Sequence, residues 1–189
     1  MTKSNHMDQP TTQKVVLGAG CFWCVDAIFR MIKGVQDISV GYSGGEPQTA
    51  NYKDVCQGNS GHVEVVRIEF DSDMVSLRDL LRVFFVSHDP TTLNRQGNDV
   101  GTQYRSVIFY EDDQQRDIAL EVLAEAQTIY EDPIVTAVES LKNYFIAEDY
   151  HHAYFEKNPD QGYCRIVIAP KVKKFREKFS HLLQDSGLS

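Results

Sequence analysis

The chain has 189 residues, 42% hydrophobic and 24% charged, enough for one domain with a real core and ordinary for a soluble globular protein. Nineteen lysines and arginines against 27 aspartates and glutamates leave a formal net charge of −8, which gives no support for nucleic-acid binding. No apolar run approaches the ~18 residues of a membrane helix, the polar stretch Met1–Gln13 lacks a signal-peptide core, and four cysteines are too few for a disulfide-stapled scaffold. The expectation is a cytoplasmic protein with working thiols, off the membrane and monomeric.

Residues 1–13 read as a disordered lead, followed by a single catalytic domain over 14–189. The first strand is predicted at Lys14–Leu17 and the first helix from Cys21 to Lys33, with Gly34 stopping it. A second strand covers Val35–Tyr42. Ser43-Gly44-Gly45-Glu46-Pro47 then opens a long loop reaching Ser60. His62–Phe70 is a third strand. Ser76-Leu77-Arg78-Asp79 is a capping box for a second helix that ends near His88-Asp89-Pro90. A polar loop, Thr91–Thr102, precedes a fourth strand at Tyr104–Tyr110. A third helix (Asp113–Tyr130), a short strand (Val135–Glu139) and helical stretches near Ala147–Lys157 and Lys171–Leu183 follow. The β-α-β-β-α-β order predicts an α+β fold, a ferredoxin-like split βαβ plait in two layers, with added C-terminal helices and long loops.

Gly20-Cys21-Phe22-Trp23-Cys24 sits where strand, glycine turn and helix meet. A thiol at a helix start faces unpaired N–H groups and the positive end of the dipole, which favour a thiolate. The flanking aromatics suit a pocket lining better than an exposed helix start. Cys21-x-x-Cys24 also admits a redox dithiol or half a zinc site, although no second Cys-x-x-Cys is present. Cys56 is expected to pack, and His151-His152 to lie on a polar helix face.

Period-two alternation places Glu64 with Val66, Ile68 and Phe70 on one strand face. On the core side its carboxyl would be desolvated and held protonated near neutral pH, as a general acid is. The rival reading has Val63 and Val65 mark the buried face. His62, on the same face as Glu64, is expected to be structural. A thiolate with a neutral acid suits sulfoxide reduction: the acid protonates the oxygen and the cysteine becomes a sulfenic acid. A second thiol must then condense with it.

With Gly20-Cys21-Phe22-Trp23, Gly41-Tyr42-Ser43-Gly44-Gly45, Tyr52-Lys53-Asp54-Val55-Cys56-Gln57-Gly58, Gly61-His62-Val63-Glu64 and Gly97-Asn98-Asp99-Val100-Gly101-Thr102-Gln103-Tyr104-Arg105-Ser106 in order, the chain resembles class A peptide methionine sulfoxide reductases over roughly residues 14–165. The resemblance implies that Cys21 attacks the sulfoxide sulfur, Glu64 protonates its oxygen, and Tyr52 and Tyr104 hydrogen-bond that oxygen. It implies that Phe22 and Trp23 hold the S-methyl group and that Asp99 lines the pocket. The implied substrate is the S epimer of methionine sulfoxide, free or in oxidised proteins. Thioredoxin, or dithiothreitol in its place, would act as reductant, and no metal or organic cofactor is implied. Cys24 stands where many members have Gly, and the Gly-rich C-terminal tail of some members is missing. Cys164 matches a recycling position of other members and is the expected resolving thiol, with Cys24 the alternative.

Overall fold

A computed structural model describes residues 11–184. Strands β1 (Thr12–Ala19), β2 (Val35–Ser43), β3 (Val63–Asp71), β6 (Ser106–Tyr110), β7 (Ala137–Ser140) and β8 (Phe145–Ile146) form one sheet in the order β7-β6-β1-β3-β2-β8. Every pairing is antiparallel except β6 with β7. The protein is therefore a mixed α/β fold on a mostly antiparallel sheet. The lead expected over residues 1–13 falls largely on residues 1–10, outside the described residues. The strand itself starts at Thr12, where β1 pairs with the end of β3.

Helices α1 (Phe22–Phe29), α3 (Leu77–Ser87) and α4 (Asp113–Gln127) carry the main core on one sheet face. Leu17, Val66, Ile68 and Phe70 point into it with Phe29, Leu80, Leu81 and Phe84. Val16, Val63, Val65, Val107 and Phe109 form a second apolar layer on the opposite face, covered by Leu141 and Tyr144. Both faces of β3 are thus buried, which is why valines occur on both and why alternation alone could not choose between them.

Several boundaries shift for identifiable reasons. The first helix ends at Phe29, short of Lys33, because Ile32 bridges to Leu183 and the Lys33 N–H donates to the Leu182 carbonyl. The loop after β2 holds a short helix α2 (Tyr52–Val55), capped by the Asn51 side chain accepting from the Asp54 N–H at 3.0 Å. The Thr91–Thr102 loop contains a small hairpin of β4 (Arg95–Gln96) and β5 (Asp99–Val100). Ser76 caps the helix as expected, its Oγ accepting from the Asp79 N–H at 3.1 Å, while its hydroxyl donates to Asp79 Oδ2 at 2.7 Å in place of the reciprocal bond of a full capping box. The stretch expected to be helical over Ala147–Lys157 breaks at Ala153, whose φ of +52° no helix accommodates, leaving a 3-10 turn at Asp149–His151 and the short helix α5 (Tyr154–Lys157). A π-helical turn at Cys164–Ile168 leads into α6 (Ala169–Lys178).

Candidate active site

The β1–α1 junction aims Cys21 into the site. Gly20 turns the chain with φ +88°, and a Cβ there would come within 2.7 Å of the Gln96 side chain, so this turn requires glycine. Cys21 is the N-cap of α1, its carbonyl accepting from the Cys24 N–H at 3.1 Å. The first free N–H of the helix, that of Phe22, donates to Glu64 Oε2 at 3.0 Å. A carboxyl from the central strand β3 thus occupies the helix N-terminus beside the thiol.

Glu64 is only 2% exposed. Desolvation raises its pKa to about 8, outweighing the Phe22 hydrogen bond that opposes it. The carboxyl is therefore mostly protonated at neutral pH, as its place among Val66, Ile68 and Phe70 predicts.

Cys21 departs from the sequence expectation. It too is buried, and desolvation, then hydrogen bonding and charge interaction with Cys24, push its pKa well above the ordinary thiol value. The helix terminus is worth roughly 0.3–1 kcal/mol, less than one pKa unit; burial of a charge is worth several units. Cys21 therefore rests as a thiol. Cys24 is the more acidic of the two, lowered to about 7 chiefly by its hydrogen bond with Cys21 and further by Lys171.

Cys21, Phe22, Trp23, Tyr52, Glu64, Asp99, Tyr104 and Tyr163 line one cavity of about 210 Å3. Every residue expected to bind substrate is among them. Burial raises the phenol pKa values of Tyr52 and Tyr104, keeping both as hydrogen-bond donors. Larger cavities lie elsewhere, one against α6 and one beside the start of β1, and neither contains a thiol or a buried acid.

Sequence reasoning missed a second set of residues. The Trp23 indole N–H donates to His151 Nδ1 at 3.0 Å, and its ring stacks on Tyr154 with centroids 3.8 Å apart. His151 is fully buried, not on a polar helix face, and desolvation lowers its pKa to about 4. As a neutral ring accepting at Nδ1, it carries its proton on Nε2, which lies 3.5 Å from Glu148 Oε2. Glu148 in turn accepts from the Tyr42 hydroxyl and the Tyr52 N–H, both at 2.8 Å. Tyr163 donates its hydroxyl to Asp99 Oδ2 at 2.7 Å. The only local signal for this set was its density of aromatic residues.

The thiols divide three to one. Cys21, Cys24 and Cys164 pack in one apolar cluster with Ile168 and Val172. Cys56 is exposed rather than packed, because Val55 takes the inward position of the short helix α2. His62 is structural as expected, accepting from the Gly45 N–H at Nδ1 and bonding the Glu46 carbonyl at Nε2. No group of three or more His, Cys, Asp or Glu side chains suited to a metal occurs among the described residues, and no described helix is long and apolar enough to cross a membrane.

Comparison with known proteins gives one answer. The sequence model of the family described as Peptide methionine sulfoxide reductase matches residues 13–183. The chain is 51% identical over 185 residues to the peptide methionine sulfoxide reductase MsrA of Polynucleobacter asymbioticus, covering 97% of each. Among solved structures it is similar to the reduced form of Mxr1 from Saccharomyces cerevisiae, with a TM-score of 0.79 and 35% identity over 83% of this chain and 91% of that one. It shares its fold with Mxr1 in complex with Trx2, at a TM-score of 0.56 and 24% identity over 82% and 92%. A buried thiol beside a protonated carboxyl in an aromatic cavity, carried on a chain alike along nearly its whole length, makes this protein a member of the peptide methionine sulfoxide reductase family.

Proposed function

We propose that Cys21 and Glu64 carry out the family's reaction, the thiol-dependent reduction of methionine-S-sulfoxide to methionine by a peptide-methionine (S)-S-oxide reductase. The observation that carries this reading is the Glu64 carboxyl, held protonated and bonded to the Phe22 N–H beside Cys21. The Cys21 sulfur attacks the sulfoxide sulfur, its thiol proton passing to the hydrogen-bonded Cys24 sulfur, while Glu64 gives its proton to the oxygen. The oxygen passes to Cys21, which becomes a sulfenic acid, and methionine leaves as the thioether. Tyr52 and Tyr104 donate to the oxygen as its charge develops. Phe22 and Trp23 take the S-methyl group, and Asp99, held by Tyr163, closes the cavity.

Disulfide formation completes the cycle. Burial of Cys164 in the cluster with Cys21 supports it as the resolving thiol. A second reading, with Cys24 resolving, is supported by its place one helical turn from Cys21 and by its lowered pKa. Peptide mapping after one turnover without reductant separates a Cys21–Cys164 bond from a Cys21–Cys24 bond. The existence of a Trx2 complex of Mxr1 supports thioredoxin as the physiological reductant, with dithiothreitol replacing it in vitro and no prosthetic cofactor required. The four free thiols support a cytoplasmic setting. The strand order β6-β1-β3-β2, with helices on one face, supports the ferredoxin-like plait within one catalytic domain over residues 14–189, acting as a monomer on free or protein-bound substrate. Reduction of the S but not the R epimer of methionine sulfoxide, with excess dithiothreitol, tests the assignment. Equal turnover of both epimers would overturn it.

A further inference from the structure

Lys171 has no role in the chemistry above, yet α6 brings it directly onto one of the thiols. Its Nζ lies 3.8 Å from Cys24 Sγ. The other polar group there is the Tyr163 hydroxyl, 3.9 Å from the same sulfur. That hydroxyl has one proton, and at 2.7 Å Asp99 Oδ2 takes it. The Lys171 ammonium is therefore the group on hand to donate to Cys24 from outside α1. Lys171 is half-buried, and none of the ion pairs among the described residues includes it. The sulfur of Cys24 is its nearest acidic partner.

We infer that Lys171 is a positioning residue for the resolving step, holding Cys24 as a thiolate aimed at the sulfenic acid formed on Cys21. The inference rests on the reductase reading and on Cys24 as the resolving thiol. In the step itself the Cys24 sulfur attacks the Cys21 sulfur. The S–S bond forms, the S–O bond breaks, and hydroxide leaves as water after taking a proton from solvent. The Cys24 sulfur is oxidised and the Cys21 sulfur reduced, so no outside oxidant is consumed. A thiolate is required because the thiol is a poor nucleophile.

The groups facing Cys24 are Cys21 at the start of α1, Glu64 from β3, Asp99 from β5, Tyr163 and Cys164 from the π-turn segment, and Lys171 from α6. Glu64 is protonated at neutral pH, Cys21 and Cys164 are held as thiols, and Tyr163 is held as a phenol. Asp99 is the negative neighbour, and its charge opposes that on Cys24. Lys171 supplies the offsetting positive charge. It enters from the helix that directly continues the turn bearing Cys164, so the cation and the third thiol lie on one continuous segment.

The test uses full-length protein with Cys56 and Cys164 changed to Ser, leaving Cys21 and Cys24. Thiolate ultraviolet absorbance is titrated against pH, and closure of the Cys21–Cys24 disulfide after one equivalent of methionine-S-sulfoxide is timed by quenched-flow mapping. Lys171→Met should move the first titration midpoint, near 7 before the change, upward by roughly one pH unit. It should slow closure at neutral pH roughly fivefold, with the deficit vanishing at alkaline pH. Lys171→Arg should restore both, and Lys174→Met, an exposed lysine on the same helix, should change neither. An unmoved midpoint in Lys171→Met, or a shift that Arg does not restore, overturns the inference. Failure of the unsubstituted protein to release methionine would overturn the reductase reading itself and is seen separately in the same reaction.

Discussion

The two walls of the cavity are built in opposite ways. Cys21, Phe22 and Glu64 stand on the middle of the sheet and the helix packed on it. β1 pairs with β3 and β6, and β3 pairs with β1 and β2, so both strands are hydrogen-bonded on both edges. The opposite side, where Tyr163 lines the cavity and Glu148, His151, Tyr154 and Lys171 stand behind it, comes from helical turns and the helix α6 outside the sheet. The comparison teaches a division of labour. The groups proposed to make and break bonds sit where backbone geometry is over-determined, and groups that orient side chains and tune charge sit on segments with few backbone bonds to the sheet and α1, such as the Ala147 N–H to the Val40 carbonyl.

Removing groups from the first wall should cost most. Cys21→Ser should abolish methionine formation even with excess dithiothreitol, because a serine alkoxide is not available near neutral pH. Substantial turnover in that variant would place the nucleophile elsewhere. Glu64→Gln keeps the acceptor for the Phe22 N–H but has no proton to give, so single-turnover sulfenic acid formation should fall by ~100- to 10,000-fold. The wild type should lose kcat/KM as pH rises through about 8, where Glu64 deprotonates, and Glu64→Gln should lack that limb. A rate within a few-fold of wild type would move the acid to another residue.

Glu64 also sets function against stability. The folded chain keeps this proton up to about pH 8, whereas the unfolded glutamate releases it near 4.5. The associated stability is complete below 4.5 and is lost as pH rises through 8. Glu64→Gln should therefore unfold at a higher temperature than wild type in mildly alkaline buffer, by on the order of a few kcal/mol in stability. A lower melting temperature there would contradict the burial argument.

Changes to the second wall should show in substrate binding. His151→Phe keeps the apolar contact but removes the acceptor for the Trp23 indole. Loss of one such hydrogen bond, about 0.5–1.5 kcal/mol, should raise KM roughly three- to tenfold with kcat little changed. Steady-state kinetics with a methionine sulfoxide peptide reads the split, and an equal loss in kcat would give His151 a part in the chemistry.

The smallest effect on activity should come from His88, far from substrate but fully buried. It bonds the Phe84 carbonyl through Nδ1 at 2.6 Å and Ser106 Oγ through Nε2 at 2.7 Å. Desolvation lowers its pKa from 6.5 to about 4. The unfolded chain binds this proton first, so stability falls as pH drops from 6.5 towards 4, by ~3 kcal/mol at most. Chemical denaturation of wild type and a His88→Gln variant across that window measures it; equal pH slopes would remove His88 as the cause.

Much of the first wall was legible in the amino-acid sequence. Strand, glycine and helix in succession determined where Cys21 would sit, and alternation along β3 determined that Glu64 would share a face with Val66, Ile68 and Phe70. The Ser76 cap and the order of the main elements follow from the same local rules. Tertiary structure alone decided the charge states and the second wall. Cys21 is a thiol because burial outweighs the helix terminus, and burial is a property of everything packed around it. The contacts that hold Trp23 and Cys24 join residues 128, 139 and 147 positions apart. No local periodicity encodes a meeting at that separation. It is decided when the chain beyond β8 folds back over α1, and a lysine that reads as an ordinary surface residue arrives beside a sulfur.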